Sequence, residues 1–355
     1  VGTTSPDVSL LIDPRANTAR TSAPEIAPRA AFAGVPGLRR GCVATVVVPA
    51  HNEAQYIART LRALADQREL DGSRLDPSTF DMLVYANSCS DATAAVVRAV
   101  ADACPNHAVF VVEEALPTEI AHIGTARGAV MDAAAARIFA RDRYGSGEGG
   151  KGAILSTDAD TLPAPTWLAW NLRELRRADA VMGRILFARD EWAQLPEHTR
   201  RTLRDESEYY FTVARLEAQF APKPYDPWPR HWQNWGASFA VRASAYAAVG
   251  GVPRVRVLED IALYDALARN GARIRHSLRV RVTTSARLDP RAIGGFGTRI
   301  GEWNALDGDT LQLMVEHPAD TLERLRNIGG GKPTRVRPQM RAAEATALLR
   351  RAMRS

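Results

Sequence analysis

The sequence predicts a doubly wound, mainly parallel α/β sheet with helices on both faces. Apolar, β-branched runs of strand length alternate four times with segments of helical periodicity, the order that builds parallel sheets through crossover helices. Those runs are apolar almost throughout, as strands covered on both faces must be. They also end in polar clusters, and open α/β sheets bind ligands beyond the carboxyl ends of their strands.

Residues 1–40, rich in Pro, Ala, Thr and Arg without sustained periodicity, read as an extension that is either irregular or draped on the domain. "CVATVVVPA" (42–50) is a buried strand. Ile57, Leu61 and Leu64 then fall at helical spacing, giving a helix over 52–67. "DMLVYA" (81–86) is a strand, and 91–104 a helix with Asp91 as its cap. "HAVFVVE" (107–113) is a strand, 124–143 a long helix, and "KGAILST" (151–157) a fourth strand beyond the surface loop 145–150. Regularity then weakens: a helix over 165–178, a strand over 178–185, and a long amphipathic helix over 197–220. A proline- and tryptophan-rich loop (221–235) leads to a strand entering a helix at "GASFAVRASAY", then a helix at "EDIALYDALARNG" that ends in glycine. "RIRHSLRVRVTTS" is strand-like, "AIGGFG" (292–297) glycine-rich, and the last 50 or so residues helical and basic around the linker "GGGKP" (329–333).

Composition narrows the class. Hydrophobic content of 46% with 24% charged residues fits a soluble globular protein among 355 residues. No apolar run reaches the roughly 18 residues of a membrane span. No secretory-signal pattern opens the chain, and Cys42, Cys89 and Cys104 show neither paired nor metal-type spacing. Together these lead to the expectation of a cytoplasmic protein in a reducing compartment. The net charge of +6 suits an anionic donor or a membrane-borne acceptor met through peripheral contact. Arginines spread along helices without interleaved aromatics argue against a nucleic-acid partner.

The chemistry concentrates at "TDADT" (157–161). In an extended segment residues i and i+2 point the same way, so Asp158 and Asp160 face one spot. Two such carboxylates raise each other's pKa unless a cation lies between them. One Asp would suffice as a helix cap; the second points to an oxygen-loving divalent cation, Mg²⁺ or Mn²⁺, held by one or two carboxylates and substrate phosphates.

Five segments in order extend this reading: "VVVPAHNEAQYIARTL", "SCSDAT", "GTARGAVMDAA", "TDADT" and "EDIALYDAL", with "WGASFAVRASAYAAVGGVP" before the last. In this series the chain resembles family-2 glycosyltransferases of the GT-A fold (nucleotide-diphospho-sugar transferase superfamily) over residues 43–284. The resemblance implies an inverting, metal-dependent hexosyl transfer from a nucleoside-diphosphate sugar to the hydroxyl of a small-molecule, lipid or glycan acceptor. It implies a GT-A domain over 41–300, with a nucleotide-binding half (41–160) and an acceptor half (161–300), and a basic extension over 301–355. The "QxxRW" motif of processive members is absent, so a single transfer is expected.

The resemblance also assigns roles. Asp160 would hold the metal; Asp158, which would share it, and Ala159 would meet the donor. Pro49, Ala50, His51 and Glu53 would line the nucleotide, although a first-turn acid such as Glu53 also suits the helix dipole. Asn87 stands where the family usually has an acidic base-reading residue, which leaves base preference open because an amide both donates and accepts. Arg127 would face the diphosphate, against the alternative of a solvated helix arginine, with His122 a weaker candidate for the same crevice. Asp260 would be the general base and Glu259 an acceptor ligand, or both first-turn acids of their helix. Trp235 and Gly236 would line the acceptor side, while Trp228 and Trp232 would pack. His276 reads as structural rather than as a metal ligand. Arg287 and the glycines after it would form a mobile flap. Two other classes remain. "DADT" also matches the nucleophile motif of haloacid-dehalogenase-like phosphatases, with Asp158 as nucleophile and a later acidic pair at Asp260 and Asp265; the third class is a non-catalytic nucleotide-binding module. The phosphatase motif normally follows the first strand, whereas three strand–helix units precede it here.

Overall fold

The computed structural model describes residues 3–4, 26–144, 152–286, 296–306, 313–327 and 337–353. Three strand–helix units open the main sheet: β1 (Ala44–Ala50) and α1 (Ile57–Ala65), β2 (Phe80–Asn87) and α2 (Thr93–Ala103), β3 (Ala108–Glu114) and α3 (Ile123–Tyr144). Then come β4 (Ala153–Ser156), β5 (Leu162–Pro163), α4 (Trp167–Glu174), β6 (Ala180–Phe187), α5 (Arg189–Gln194) and α6 (Glu197–Phe220). A 3₁₀ turn (Gly236–Ser238) leads into β7 (Phe239–Arg242) and α7 (Ala243–Ala248), followed by α8 (Glu259–Arg269) and β8 (Ile274–Thr284).

Among the described residues these strands form one eight-stranded sheet in the order β3-β2-β1-β4-β7-β6-β8-β5. The pairs β1–β2, β2–β3, β1–β4 and β6–β8 are parallel; β7 runs antiparallel to both neighbours and β5 antiparallel to β8. The sheet is therefore mainly parallel, as the alternating pattern predicts. Every residue of β1, β2 and β4 is buried, which is why their sequences carry no polar alternation. One face packs Val46, Val48 and Val84 against Ile57, Leu61 and Leu64 of α1, Val97 of α2 and Trp167 of α4. The other packs Val47, Leu83 and Ile154 against Ala126, Val130 and Ile138 of α3, Tyr246 of α7 and Leu263 of α8.

Two differences from the sequence reading have local causes. Helix α1 begins at Ile57, not 52, because Asn52 adopts φ +55° and turns the chain across the strand end. The carboxy-terminal residues add strand as well as helix. Here α9 (Phe296–Ala305), β9 (Leu313–Val315), α10 (Pro318–Arg326), β10 (Met340–Arg341) and α11 (Ala342–Ala352) gather around α6. They share a third core of Leu203, Val213 and Leu216 with Ile300, Trp303, Leu325, Ala345 and Leu349. Strand β9 pairs with β10 and with a two-residue strand at Thr3–Thr4. Ahead of β1, Phe32 packs on Tyr85 (ring centroids 5.1 Å apart), and Arg29 Nε donates to Glu114 (2.9 Å).

The sheet is tight where β6 passes the 3₁₀ turn. A Cβ on Gly183 would lie 2.0 Å from Ser238 Oγ and 2.8 Å from Val280 Cγ1. Gly183→Ala is therefore expected to destabilise the fold by about 1–3 kcal/mol, the usual cost of overpacking. Urea unfolding measures it; an unchanged midpoint would contradict this packing.

Candidate active site

The carboxyl ends of β1, β2 and β4 open on the same edge of the sheet, and the loops that follow are stitched together by side chains. Asn52 Oδ1 accepts from the backbone N–H of Ser90 (2.8 Å) and of Asp91 (3.3 Å). Asp91 accepts from Thr93 N (2.9 Å) and Ala54 N (3.0 Å), so it caps α2 from one residue before the N-cap and also fixes the entry to α1. Asn87, last in β2 and buried, offers its carbonyl to His51 Nδ1 (2.9 Å). Because a carbonyl only accepts, His51 carries its proton on Nδ1. Glu53 is 5% exposed, its backbone N–H held by Thr93 Oγ1 (2.8 Å). Pro49, Ala50, His51, Glu53 and Asn87 thus share one lip.

Past β4, Thr60 Oγ1 donates to Ala159 O (2.8 Å), and Thr161 N closes a turn on Asp158 O (3.2 Å). This fixes the backbone between the two aspartates. Asp158 is 35% exposed, and its Oδ1 accepts from Arg127 Nη2 (2.8 Å).

Arg127 is the hub. It is 4% exposed on the second turn of α3, so it is no solvated helix arginine. Nη1 donates to Ser156 Oγ (2.6 Å) and Gly236 O (3.2 Å), and Nε to Glu259 Oε1 (2.9 Å). With the bond to Asp158, four of its five N–H groups are bound to protein. Burial opposes the charge, but Asp158, Glu259 and Asp260 outweigh it and raise the guanidinium pKa above its ordinary value. The geometry makes Arg127 a clamp on the carboxylates first, with one N–H left for a ligand. Gly236 is required beside it: a Cβ there would meet Arg127 Cζ and Nη2, both at 2.7 Å.

Asp260 sits opposite, in the first turn of α8. Its Oδ2 accepts from Gly236 N (2.6 Å) and its Oδ1 from Ile261 N (2.8 Å). Burial and the neighbouring Glu259 push its carboxyl up to about 6, against the opposing pull of Arg127. Leu258, just before the pair, is held at φ +58°, a left-handed conformation costly for a branched side chain. The sequence offers no signal for that strain, nor for Ser156 and Asn52 as organisers of the site.

Other expected residues fall elsewhere. His122 accepts from Thr125 N (3.3 Å) at the start of α3. His276 is buried, with Nδ1 2.9 Å from Asp226 Oδ2. His231 donates Nε2–H to Met182 O (3.0 Å) and accepts from Gln233 N (3.0 Å), so it is neutral; burial takes its pKa well below 6.5. Both histidines tie the proline-rich loop to the sheet. Trp235 is half-buried beside Gly236 and packs on Trp232 (5.3 Å between centroids), while Trp228 is 39% exposed. Arg287 and residues 292–295 lie outside the described residues. Among the described residues no three His, Cys, Asp or Glu side chains converge as a metal cage, and no helix is long and apolar enough to cross a membrane.

Residues 45–121, from β1 past β3, match the family model for Glycosyl transferase family 2. The "DADT" motif follows the fourth strand of this sheet, whereas the phosphatase nucleophile motif normally follows the first. No curated protein matches the sequence. Among solved structures, the chain is similar to residues 1–349 of Staphylococcus aureus TarS in complex with UDP, at 15% identity and TM-score 0.46, over 69% of this chain and 61% of that one. It is also similar to the mannosyltransferase PcManGT of Pyrobaculum calidifontis in complex with GDP-Man and Mn²⁺, at 16% identity and TM-score 0.45, over 91% of this chain and 79% of that one.

Removing the clamp leaves Glu259 buried without its counter-charge. Arg127→Met is expected to cost about 3–5 kcal/mol, the range for breaking a buried ion pair from one side. Gly236→Ala, which displaces the guanidinium without deleting it, should cost less. Denaturant titration of the two variants ranks them; equal midpoints with the parent would remove Arg127 from its central place.

Proposed function

We propose that the protein is an inverting, metal-dependent, non-processive glycosyltransferase that moves one hexosyl unit from a nucleoside-diphosphate sugar to an acceptor hydroxyl. The observation that carries this reading is the environment of Asp260. A carboxylate at the wall of the crevice, oriented by two backbone N–H groups and raised to about 6, is suited to take a hydroxyl proton near neutral pH.

The lip formed by β1 and β2 is the proposed nucleotide site, with Glu53 and Asn87 toward the base or ribose. Residues 41–160 form the donor half and 161–300 the acceptor half, where Glu259, Gly236 and Trp235 would position the acceptor against Asp260. Asp158 and Asp160 are the residues that would hold Mg²⁺ or Mn²⁺. The donor set fits such an ion: two carboxylates two residues apart, one oxygen of Asp158 committed to Arg127, the remaining ligands left to diphosphate and water. Hard divalent cations accept that composition. When bound, the ion would supply Lewis-acid stabilisation of the departing diphosphate. Arg127 holds Asp158 and Glu259 in fixed relation while Asp260 takes the proton.

Asp260→Asn is expected to keep nucleotide binding and the folded midpoint while lowering transfer by roughly 10²–10⁴-fold. The donor is first found by a thermal-shift screen of UDP-, GDP-, ADP- and dTDP-sugars with Mn²⁺. Normal turnover by that variant would displace Asp260 as base.

The base acts ionised, so the parent's kcat/KM should fall about tenfold per pH unit below about 6. A profile flat down to pH 4.5 would refute the assignment.

Asp160→Ala should abolish Mn²⁺-dependent binding of the matching nucleoside diphosphate. Unchanged calorimetric affinity would sink the metal role.

A further inference from the structure

Most half-buried or buried arginines in this protein have a carboxylate or carbonyl partner: Arg137 on Asp81, Arg230 on Asp226, Arg275 on Asp226, Arg299 on Glu206. Arg184 on β6 and Arg281 on β8 do not. Among the described residues neither guanidinium makes a hydrogen bond or an ion pair; Arg184 is half-buried, while Arg281 is exposed and its carbonyl accepts from Ala164 N (3.0 Å). They are register partners on adjacent parallel strands, so their side chains leave the same face. Like charges placed directly opposite one another destabilise a sheet. Burial and Arg281 together pull the Arg184 pKa below its ordinary value.

Their place in the fold gives the pair a use. Along β6, Val181 and Ile185 join the core under α1 and α4, whereas Met182 joins the core under α3 and α8. Arg184 shares the face of Met182, which is also the face of Arg127, Glu259 and Asp260. The loop beside it is held to the same strand: His231 Nε2 donates to Met182 O, and the Gln233 amide bonds both Ile185 N (2.8 Å) and Ile185 O (3.1 Å). Three residues later that loop reaches Gly236, whose N–H binds Asp260. Both strands pack on the turn Gly236–Ser238, and Thr284 at the end of β8 meets Thr161 beside the paired aspartates (2.9 Å).

Resting on the glycosyltransferase reading, we infer that Arg184 and Arg281 form an acceptor-side subsite for an oxyanion, so that the acceptor carries a phosphate or carboxylate besides its reactive hydroxyl. Paired guanidiniums suit such groups because their planar forks bind two oxygens at once. The anion would also relieve the repulsion built into the register.

The test is calorimetric titration of inorganic phosphate and, separately, malonate at constant ionic strength. The proteins are the parent, Arg184→Gln, Arg281→Gln and, as a surface-charge control, Arg98→Gln. The parent is expected to bind at least one anion, and which one separates phosphate from carboxylate. Affinity should fall roughly tenfold or more in each site variant, the weight of a charge-assisted bond, and stay unchanged in Arg98→Gln. Because a repulsion is removed, both site variants should melt no lower than the parent. Nucleoside diphosphate with Mn²⁺ should bind all four proteins alike and should not compete with the anion. No anion binding by the parent, equal affinity in the site variants, or displacement of the anion by nucleoside diphosphate would overturn the inference. Failure of every nucleotide to bind the parent would instead strike the donor reading, and the anion titration would still be read by itself.

Discussion

The site depends on one buried cation. Arg127 is anchored in α3, yet its bonds reach the end of β4 through Ser156 and Asp158, the 3₁₀ turn through the Gly236 carbonyl, and the start of α8 through Glu259. Burying a guanidinium is costly unless nearly all its donors are satisfied, so the four partners must keep their places for the fold to tolerate it. That requirement converts a helix side chain into a jig. It sets Asp158 relative to Glu259 across the middle of the domain, and it forces glycine at 236, where any side chain would strike the guanidinium plane. The same glycine's N–H binds Asp260 and its carbonyl binds Arg127, so Asp260 and the arginine are aligned through a single residue.

Backbone strain follows the same geography. Three described non-glycine residues have positive φ, namely Asn52, Ser88 and Leu258, and each lies at a loop of the crevice. Asn52 compensates through its side-chain bonds to the next strand-end loop, and Ser88 through its Oγ, which accepts from Leu116 N (3.0 Å). Leu258 lacks a polar group to compensate with. It is held instead by its position between the Val255 turn, pressed on Gly124, and the buried Glu259. Strain of this kind persists only where surrounding contacts over-determine it, and here those contacts are the ones that aim Asp260.

The sheet was legible because burial on both faces writes itself into composition. The runs at 42–50, 81–86 and 107–113 are apolar without alternation, and the strands lie within a few residues of those bounds. Helix α6 was read over the range it occupies because its amphipathic stripe is long and Pro196 fixes its start. The clamp was not legible. Arg127 sits in an alanine-rich helix whose sequence reads equally well with arginine in water, and its partners lie 29, 31, 109 and 132 residues away. No local period encodes a contact of that span. The carboxy-terminal sheet was hidden for a related reason: strands of two or three residues carry too little pattern to separate from loop.

Charge balance connects the clamp to the chemistry. Asp158, Glu259 and Asp260 all lower their energy against Arg127, but one positive charge cannot neutralise three negative ones in a partly desolvated pocket. Arg127 bonds directly to Asp158 and Glu259. Asp260 is left with backbone dipoles and a like-charged neighbour, and burial together with Glu259 raises its carboxyl to about 6. On the proposed reading the excess negative charge has a second outlet at Asp158 and Asp160, where a divalent ion would balance both the aspartates and the incoming diphosphate. The arginine's preference for Asp158 and Glu259 over Asp260 is therefore what separates the two roles on that reading: the carboxylates it holds are fixed in place, and the one it leaves has its carboxyl raised by burial and Glu259.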